Sequence, residues 1–436
     1  MIKKLQRIPY AGSLLLLAYM PFHIFLSQSL SLLTGGLDEW KIGKDIVLAI
    51  LCLFTICLVW WRGKATRAFN TLIVGAIVYG FLHILLWILH PHLFAQDAML
   101  GTIYNVRLPL CLIAGFGAVL LVPKFAFSSV LKLVIIISTV VSILGIAQYF
   151  LPSDLLTHFG YSIARGARPA FFIDDNPAFP RIMSTLREPN ALGAYLILPA
   201  AALAVLFFEV KRSLRKLLVA GVFGLHVVAI ILTSSRSAWL AAALAIVLAL
   251  WWHYKSWVLM VLKRFWPVLV GLVVVCAVGG YMLRDSSFVH QYIVHSNQKR
   301  TNSLPDSNGF HTLLVEQGLK GIAKAPFGHG PGTAGLVSIH DPNGGQLTEN
   351  YYVQIGYEVG IPGLALFIAL NAWLYLRIWR RKDLYAFILC ASFWAYVLTN
   401  MLLHTWSNEA VAVQWWILAG MALVVPIASS KKNRLT

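Results

Sequence analysis

Charge is what this sequence has least of. Only 12% of its 436 residues are Asp, Glu, Lys or Arg, about half the share of an ordinary soluble protein, while 59% are hydrophobic. A water-soluble globular enzyme is therefore excluded. Acidic residues are the scarcer kind, 17 against 35 basic ones, which leaves a formal charge of +18. Cysteine is scarce too. Cys52, Cys57, Cys111, Cys276 and Cys390 all fall inside apolar runs, so no disulfide framework and no C-x-x-C metal signature is offered. The chain has no Asp-x-Asp pair, no cluster of His and Cys at ligand spacing, no internal repeat and no low-complexity tract,. Neither a resident metal nor any other cofactor is expected.

Apolar sequence, by contrast, recurs from end to end in runs of about 17 to 25 residues, long enough to cross a bilayer as a helix. The runs are Ala11–Leu33, Ile46–Trp61, Asn70–Leu89, Ile103–Val122, Val130–Leu151, Ala191–Phe208, Leu217–Thr233, Ala238–Trp252, Phe265–Leu283, Val359–Trp379, Tyr385–Leu403 and Ala410–Ser429. The expected fold is an all-α polytopic membrane protein of about twelve transmembrane helices, with membrane lipid as its main solvent. The first run follows Lys3, Lys4 and Arg7. It is too long for a cleaved signal core and lacks a small-residue cleavage site, so it is read as a retained span.

The charges test that division. With the amino terminus inside, the cytoplasmic segments carry 22 of the 35 Lys and Arg residues, and the outer segments carry 15 of the 17 acids. Basic residues gather on the cytoplasmic side of membrane proteins, so both termini are expected there. Much of the +18 then sets orientation and implies no nucleic-acid partner.

Two outer segments, Pro152–Asn190 and Arg284–Glu358, are too long to be mere connectors. The organisation expected is five helices in 1–151, an outer loop at 152–190, helices six to nine in 191–283, a large outer loop at 284–358 between helices nine and ten, and the last three helices with a cytoplasmic tail in 359–436. In the large loop, Asn308 reads as a helix N-cap, and Phe310, Leu313, Leu314, Leu319, Ile322 and Ala323 follow at helical spacing until Pro326,. An amphipathic helix on the outer membrane face is expected. Gly328, Gly330 and Gly332 then form one tight loop and residues 340–345 another.

Arg236 is the most informative residue. It lies in the short outer turn between two apolar spans, flanked by Thr233, Ser234, Ser235 and Ser237 and without an acidic neighbour. An ionisable group in such a place is a functional hypothesis, and the hydroxyls add donors for an anion; the competing reading is an arginine reaching to the headgroups. Arg187 precedes Pro189-Asn190 at the start of the sixth span, where a helix N-terminus favours anions. A surface pair with Glu188 is its competing reading. Arg107, near the outer end of the fourth span, is a third cation for the same anion or a structural pair. Arginines facing one site suit a diphosphate, because their planar forks bind phosphate oxygens bidentately and stay charged.

A group transfer also needs a proton acceptor. The large loop offers Glu349, His340, His329, His311, Asp341 and Glu358. Glu349 stands where polar loop becomes returning helix; it reads as a base, or as a first-turn residue behind a Thr348 N-cap. Each histidine also reads as an ordinary loop residue.

Taken in order, Arg187-Glu188-Pro189-Asn190-Ala191-Leu192-Gly193, Ser234-Ser235-Arg236-Ser237-Ala238-Trp239, Ala325-Pro326-Phe327-Gly328-His329-Gly330-Pro331-Gly332 and Glu349-Asn350-Tyr351 through Glu358-Val359-Gly360-Ile361-Pro362-Gly363-Leu364 resemble the O-antigen ligase and O-antigen polymerase superfamily. The resemblance implies a metal-independent, inverting, membrane-embedded glycosyltransferase of the bacterial inner membrane. Its donor would be an oligosaccharide on undecaprenyl diphosphate, its acceptor a hydroxyl of a glycan or lipid-linked glycan on the outer side. The family's diphosphate-binding arginines map onto Arg187 and Arg236. Many ligases of the family have a histidine immediately before the asparagine of the last motif, where this chain has Glu349. The base implied is thus Glu349, or else His340 or His311, and the glutamate leans toward a polymerase.

Two other readings compete. A peptidoglycan-type polymerase of the shape, elongation and division family uses the same class of donor. A glycan or lipid transporter or flippase should instead place its site near the midplane between related halves, whereas the distinctive charges here gather on one face.

Overall fold

The computed structural model describes residues 2–122, 124–282, 286, 307–338 and 345–424. It is a helical bundle. Helices α1 (Ile8–Tyr19) and α2 (His23–Thr34) run on through one tight turn at Met20–Phe22. They are followed by α3 (Leu37–Trp61), α4 (Arg67–Leu89), α5 (Ala95–Leu121), α6 (Phe127–Phe150), α7 (Pro189–Glu209), α8 (Ser213–Leu232), α9 (Arg236–His253) and α10 (Lys255–Met282). Then come α11 (Ser307–Lys324), α12 (Tyr351–Trp379), α13 (Leu384–Leu402) and α14 (Glu409–Ala422). Each of the twelve apolar runs falls on a helix as far as its residues are described. Among the described residues ten spans, α1–α2 being one, are long and apolar enough to cross a membrane. The protein is an all-α polytopic membrane protein.

Apolarity does not distinguish inner helices from outer ones here, because lipid accepts apolar side chains as readily as a core does. Small residues do. Of the apolar stretch of α7, 83% is buried, against 17% for α8, and α7 is rich in Ala. The closest approach is between α5 and α14. A Cβ on Gly115 would lie 2.2 Å from the Ile417 carbonyl oxygen, and one on Gly420 would lie 2.2 Å from that of Leu112. The two glycines let these backbones touch in both directions, and a bulkier residue at either would force the pair apart.

Helix α12 carries the bend that shapes the site. Gly360 has φ +70°, two residues before Pro362, so regular helix bonding lapses and the carbonyls ahead of the bend lose their partners. An unpaired carbonyl in hydrocarbon is costly. The glycine loop supplies the missing donors: His329 N–H to Tyr357 O and Gly330 N–H to Glu358 O, both at 2.9 Å, while Ile361 N–H reaches Pro326 O at 2.8 Å. Gly332 N–H adds a bond to Glu358 Oε1 at 3.2 Å, and Asn105 Nδ2 donates to Glu358 Oε2 at 2.8 Å. Glu358 is thus spent in holding the loop, and His329 stacks on Tyr357 with centroids 3.9 Å apart.

The amphipathic helix exists as α11, packed against α12: a Cβ on Gly318 would meet Val353, and one on Gly321 the ring of Tyr357. It starts at Ser307, so Asn308 lies within its first turn and is not the N-cap. The loop at 152–190 contains a two-stranded antiparallel ribbon, Phe171–Phe172 with Pro180–Arg181.

Candidate active site

Of the cavities at the end of the bundle that carries these loops, two share one lining residue, Leu336. The larger, of 430 Å³, is walled by Gln28 of α2, by Asp38, Lys41, Lys44 and Asp45 of α3, by Tyr104 of α5, and by Arg187, Val337 and Glu409. The smaller, of 120 Å³, is walled by Glu188, Asn190, Leu347, Glu349, His404, Thr405 and Asn408.

Charge in the large cavity is organised around α3. Lys44, almost wholly buried, lies 3.0 Å from Asp45 and 3.5 Å from Glu409. Behind it Arg107 donates from Nε and Nη2 to the two carboxylate oxygens of Asp45, at 2.7 and 3.2 Å. Its guanidinium lies over the Tyr104 ring at 4.7 Å. Arg107 is therefore paired and does not line the cavity, although its Nη1 has no hydrogen-bond partner among the described residues. Arg165 clamps the 152–190 loop to α2 by donating to Gln28 Oε1, to Gln28 O and to Ser31. Its own carbonyl accepts from Lys41 Nζ at 3.2 Å. Arg187 does line the cavity.

Arg187 owes its place to the chain turn before α7. Ser184 has φ +55°, with its N–H bonded to Gln148 Oε1 at 2.8 Å and its hydroxyl to Val141 O at 2.7 Å. Helix α7 begins at Pro189 with Glu188 at the cap position, contributing no side-chain cap bond. Arg187 thus precedes the helix by one residue, and Glu188 is free to face the other cavity.

Arg236 is the first residue of α9, after Ser235 at the cap and Ser234 at φ +50°. The rest of its motif builds this turn. Ser235 N–H bonds Thr233 Oγ1 at 3.2 Å, Trp239 Nε1 bonds Ile230 O at 2.9 Å, and Ala238 fits where a Cβ on Gly193 would stand 2.5 Å away. Arg236 lines neither of the two cavities. It neighbours Arg181, a residue that sequence reasoning missed, whose guanidinium donates to Thr233 O at 2.9 Å and to Asn190 Oδ1 at 3.0 Å. Burial and then the nearby Arg236 charge push Arg181 below the ordinary arginine range, against the pull of Glu188.

Glu349 also sits in left-handed backbone, at φ +44°, a conformation uncommon outside glycine. The N-cap of α12 is Asn350, whose Oδ1 accepts from the N–H groups of Tyr352 and Val353, each at 3.0 Å. This corrects the reading of Thr348 as the cap. Glu349 is one residue outside the helix and turns into the small cavity. Its Oε2 lies 3.7 Å from His311 Nε2, which also bonds Leu402 O. Burial raises the Glu349 carboxyl above the usual range; His311 opposes this and Glu188 adds to it. His404, also unforeseen, bonds Thr348 Oγ1 at 3.3 Å and is pushed down to about 4 by burial and by His311, so it is neutral at pH 7. His340 lies outside the described residues.

Ser184, Ser234 and Glu349, three of the five non-glycine residues with positive φ among the described residues, adjoin or supply Arg187, Arg236 and the small cavity. Strain of this kind collects at functional sites. Among the described residues no group of three or more His, Cys, Asp or Glu side chains is arranged to hold a metal ion.

The fold defines a multi-pass membrane protein with two adjoining polar cavities at one end of the bundle. Residues 221–368 match the family model described as O-Antigen ligase, which supports the O-antigen ligase and polymerase superfamily for this chain. The matched segment runs from within α8 to beyond the bend of α12 and includes Arg236, His311 and Glu349; Arg187 and Arg107 precede it. A search of curated proteins found no match.

Proposed function

We propose that this protein transfers an oligosaccharide from undecaprenyl diphosphate to a sugar hydroxyl at the outer face of the bacterial inner membrane, as a surface-polysaccharide polymerase or ligase. The observation that carries the reading is the pair of adjoining cavities, one lined by Lys41, Lys44 and Arg187 together with three acids and the other by the loop carboxylate Glu349. The diphosphate sits in the larger one, where Asp38 faces Lys41, Glu409 faces Lys44 and Asp45 is engaged by Arg107 and Lys44, so that Arg187 is the cation in excess. Arg187 gives a bidentate fork. Arg236, at a helix N-terminus beside Arg181, adds positive potential from the α9 side.

In the reaction the acceptor hydroxyl loses its proton to the Glu349 carboxylate as its oxygen attacks the anomeric carbon from the face opposite the diphosphate. The new C–O bond forms while the bond from that carbon to the diphosphate oxygen breaks. Configuration inverts, and undecaprenyl diphosphate leaves with the electron pair. The arginines and lysines meet the charge that develops on it, so no metal is required. A glutamate raised toward neutrality by burial is well matched to this work. Arg107, fixed by Asp45, acts from behind by holding α3 and its lysines to α5.

The test is transfer from a purified undecaprenyl-diphosphate oligosaccharide to a glycan acceptor by the full chain in lipid. Arg187→Lys keeps the charge and loses the fork. It should abolish most product while the protein stays in the membrane at its normal level. Full activity in Arg187→Lys would mean that the anion site lies elsewhere.

A further inference from the structure

The small cavity differs from its neighbour in that its wall carries carboxylates without cations, whereas the larger one mixes the two. Glu188 and Glu349 both line it, with the neutral polar groups of Asn190, Asn408, Thr405 and His404 between them. Among the described residues no lysine or arginine lines it. The titratable groups that face Glu349 are His311 at 3.7 Å and Glu188, and the nearby Arg181 is spent on Thr233 O and Asn190. Such a wall offers several acceptors and amide donors to hydroxyl groups. It offers no cation to a phosphate or carboxylate, which would meet two carboxylates instead.

We infer that this cavity receives the hydroxyl-bearing end of the acceptor, and that its charge selects a sugar end free of phosphate and carboxylate. The inference rests on the proposed transfer reaction, in which Glu349 takes the acceptor's proton. It adds a specificity role for Glu188. Because Arg187 and Glu188 are adjacent and line different cavities, one turn of chain attracts the anionic donor to one side and repels anions from the other. Like charges brought together across an interface are a strong means of discrimination.

The experiment is saturation-transfer NMR on the full chain in lipid nanodiscs, with methyl glucoside and methyl N-acetylglucosaminide as neutral probes and glucose 6-phosphate and glucuronate as anionic ones. Saturating inorganic pyrophosphate keeps the anionic probes out of the large cavity. The neutral glycosides should bind at least about tenfold more tightly than the anionic sugars, and Glu188→Gln should narrow that ratio by about tenfold while pyrophosphate affinity stays the same. Asn408→Asp, which adds a carboxylate to the same wall and keeps the side-chain cap of α14, should widen it, so the result does not hang on one variant. Equal binding of neutral and anionic sugars by the wild type would overturn the inference, as would a ratio unchanged in both variants or no saturation of any sugar. Pyrophosphate failing to bind while neutral sugars still do so selectively would instead count against the donor site and leave the acceptor site supported.

Discussion

Arg187 and Glu188 are consecutive in the chain yet line different cavities, the arginine beside Lys41 and Lys44, the glutamate beside Asn190 and Glu349. Donor handling and acceptor handling can therefore be separated by substitutions one residue apart. Arg187→Gln removes a charged, bidentate donor from the larger cavity. It should weaken inorganic pyrophosphate binding by about tenfold or more, and Arg187→Lys should recover only part of the loss. Isothermal titration of the protein in nanodiscs checks this, and unchanged affinity in both variants would remove Arg187 from the site.

The raised Glu349 carboxyl gives a pH signature. The base must be ionised to act, so activity is full above its pKa and is lost as pH falls through it, at a midpoint above the ordinary glutamate value of 4.5,. His311 lowers that value, so His311→Gln should move the acid limb to higher pH. Glu349→Gln should reduce transfer by about 10²- to 10⁴-fold and remove the limb, with pyrophosphate binding retained. If Glu349→Gln kept full transfer while His311→Ala or His340→Ala abolished it, a histidine would be the base.

Much of the fold was legible because lipid imposes a length and a composition on every span: the apolar runs lie on helices where they are described, and ten helical spans among the described residues are long and apolar enough to cross a membrane. What hydropathy hid was the part of each helix that works. The apolar run of α3 starts at Ile46, but the helix starts at Leu37; the intervening Asp38, Lys41, Lys44 and Asp45 look like loop and are in fact a wall of the large cavity. Arg187 and Arg236 were visible because a charge next to an apolar helix start stands out. Arg181, His404 and Glu409 did not stand out, since their meaning depends on partners such as Thr233, Thr348 and Lys44 that only the folded bundle brings near. The N-cap was misplaced for a local reason: Thr348, Asn350 and their neighbours all suit a cap, and the left-handed turn at Glu349 decides in favour of Asn350.

The Arg107–Asp45 pair joins α5 to α3 across 62 positions of sequence. Both side chains are nearly out of solvent, at 1% and 11% exposure, so removing one partner strands a charge, at a cost of about 3–5 kcal/mol. Arg107→Met and Asp45→Leu should each lower the unfolding temperature in detergent markedly, and the double variant should lose less than the two together. A single variant with an unchanged melting curve and lost pyrophosphate binding would show instead that Arg107 contacts the donor directly.

On the proposed reaction this protein breaks the sugar–diphosphate bond and does not merely carry the lipid-linked glycan across the bilayer. The two are separated with purified protein in liposomes with EDTA, a defined undecaprenyl-diphosphate oligosaccharide and a glycan acceptor, with free undecaprenyl diphosphate and extended acceptor measured by mass spectrometry. One undecaprenyl diphosphate should be released per glycan transferred, with inverted configuration at the new linkage, undiminished by the chelator. Donor recovered intact on the opposite leaflet with no extended acceptor, or transfer that returns only when magnesium or manganese is added, would contradict that reaction.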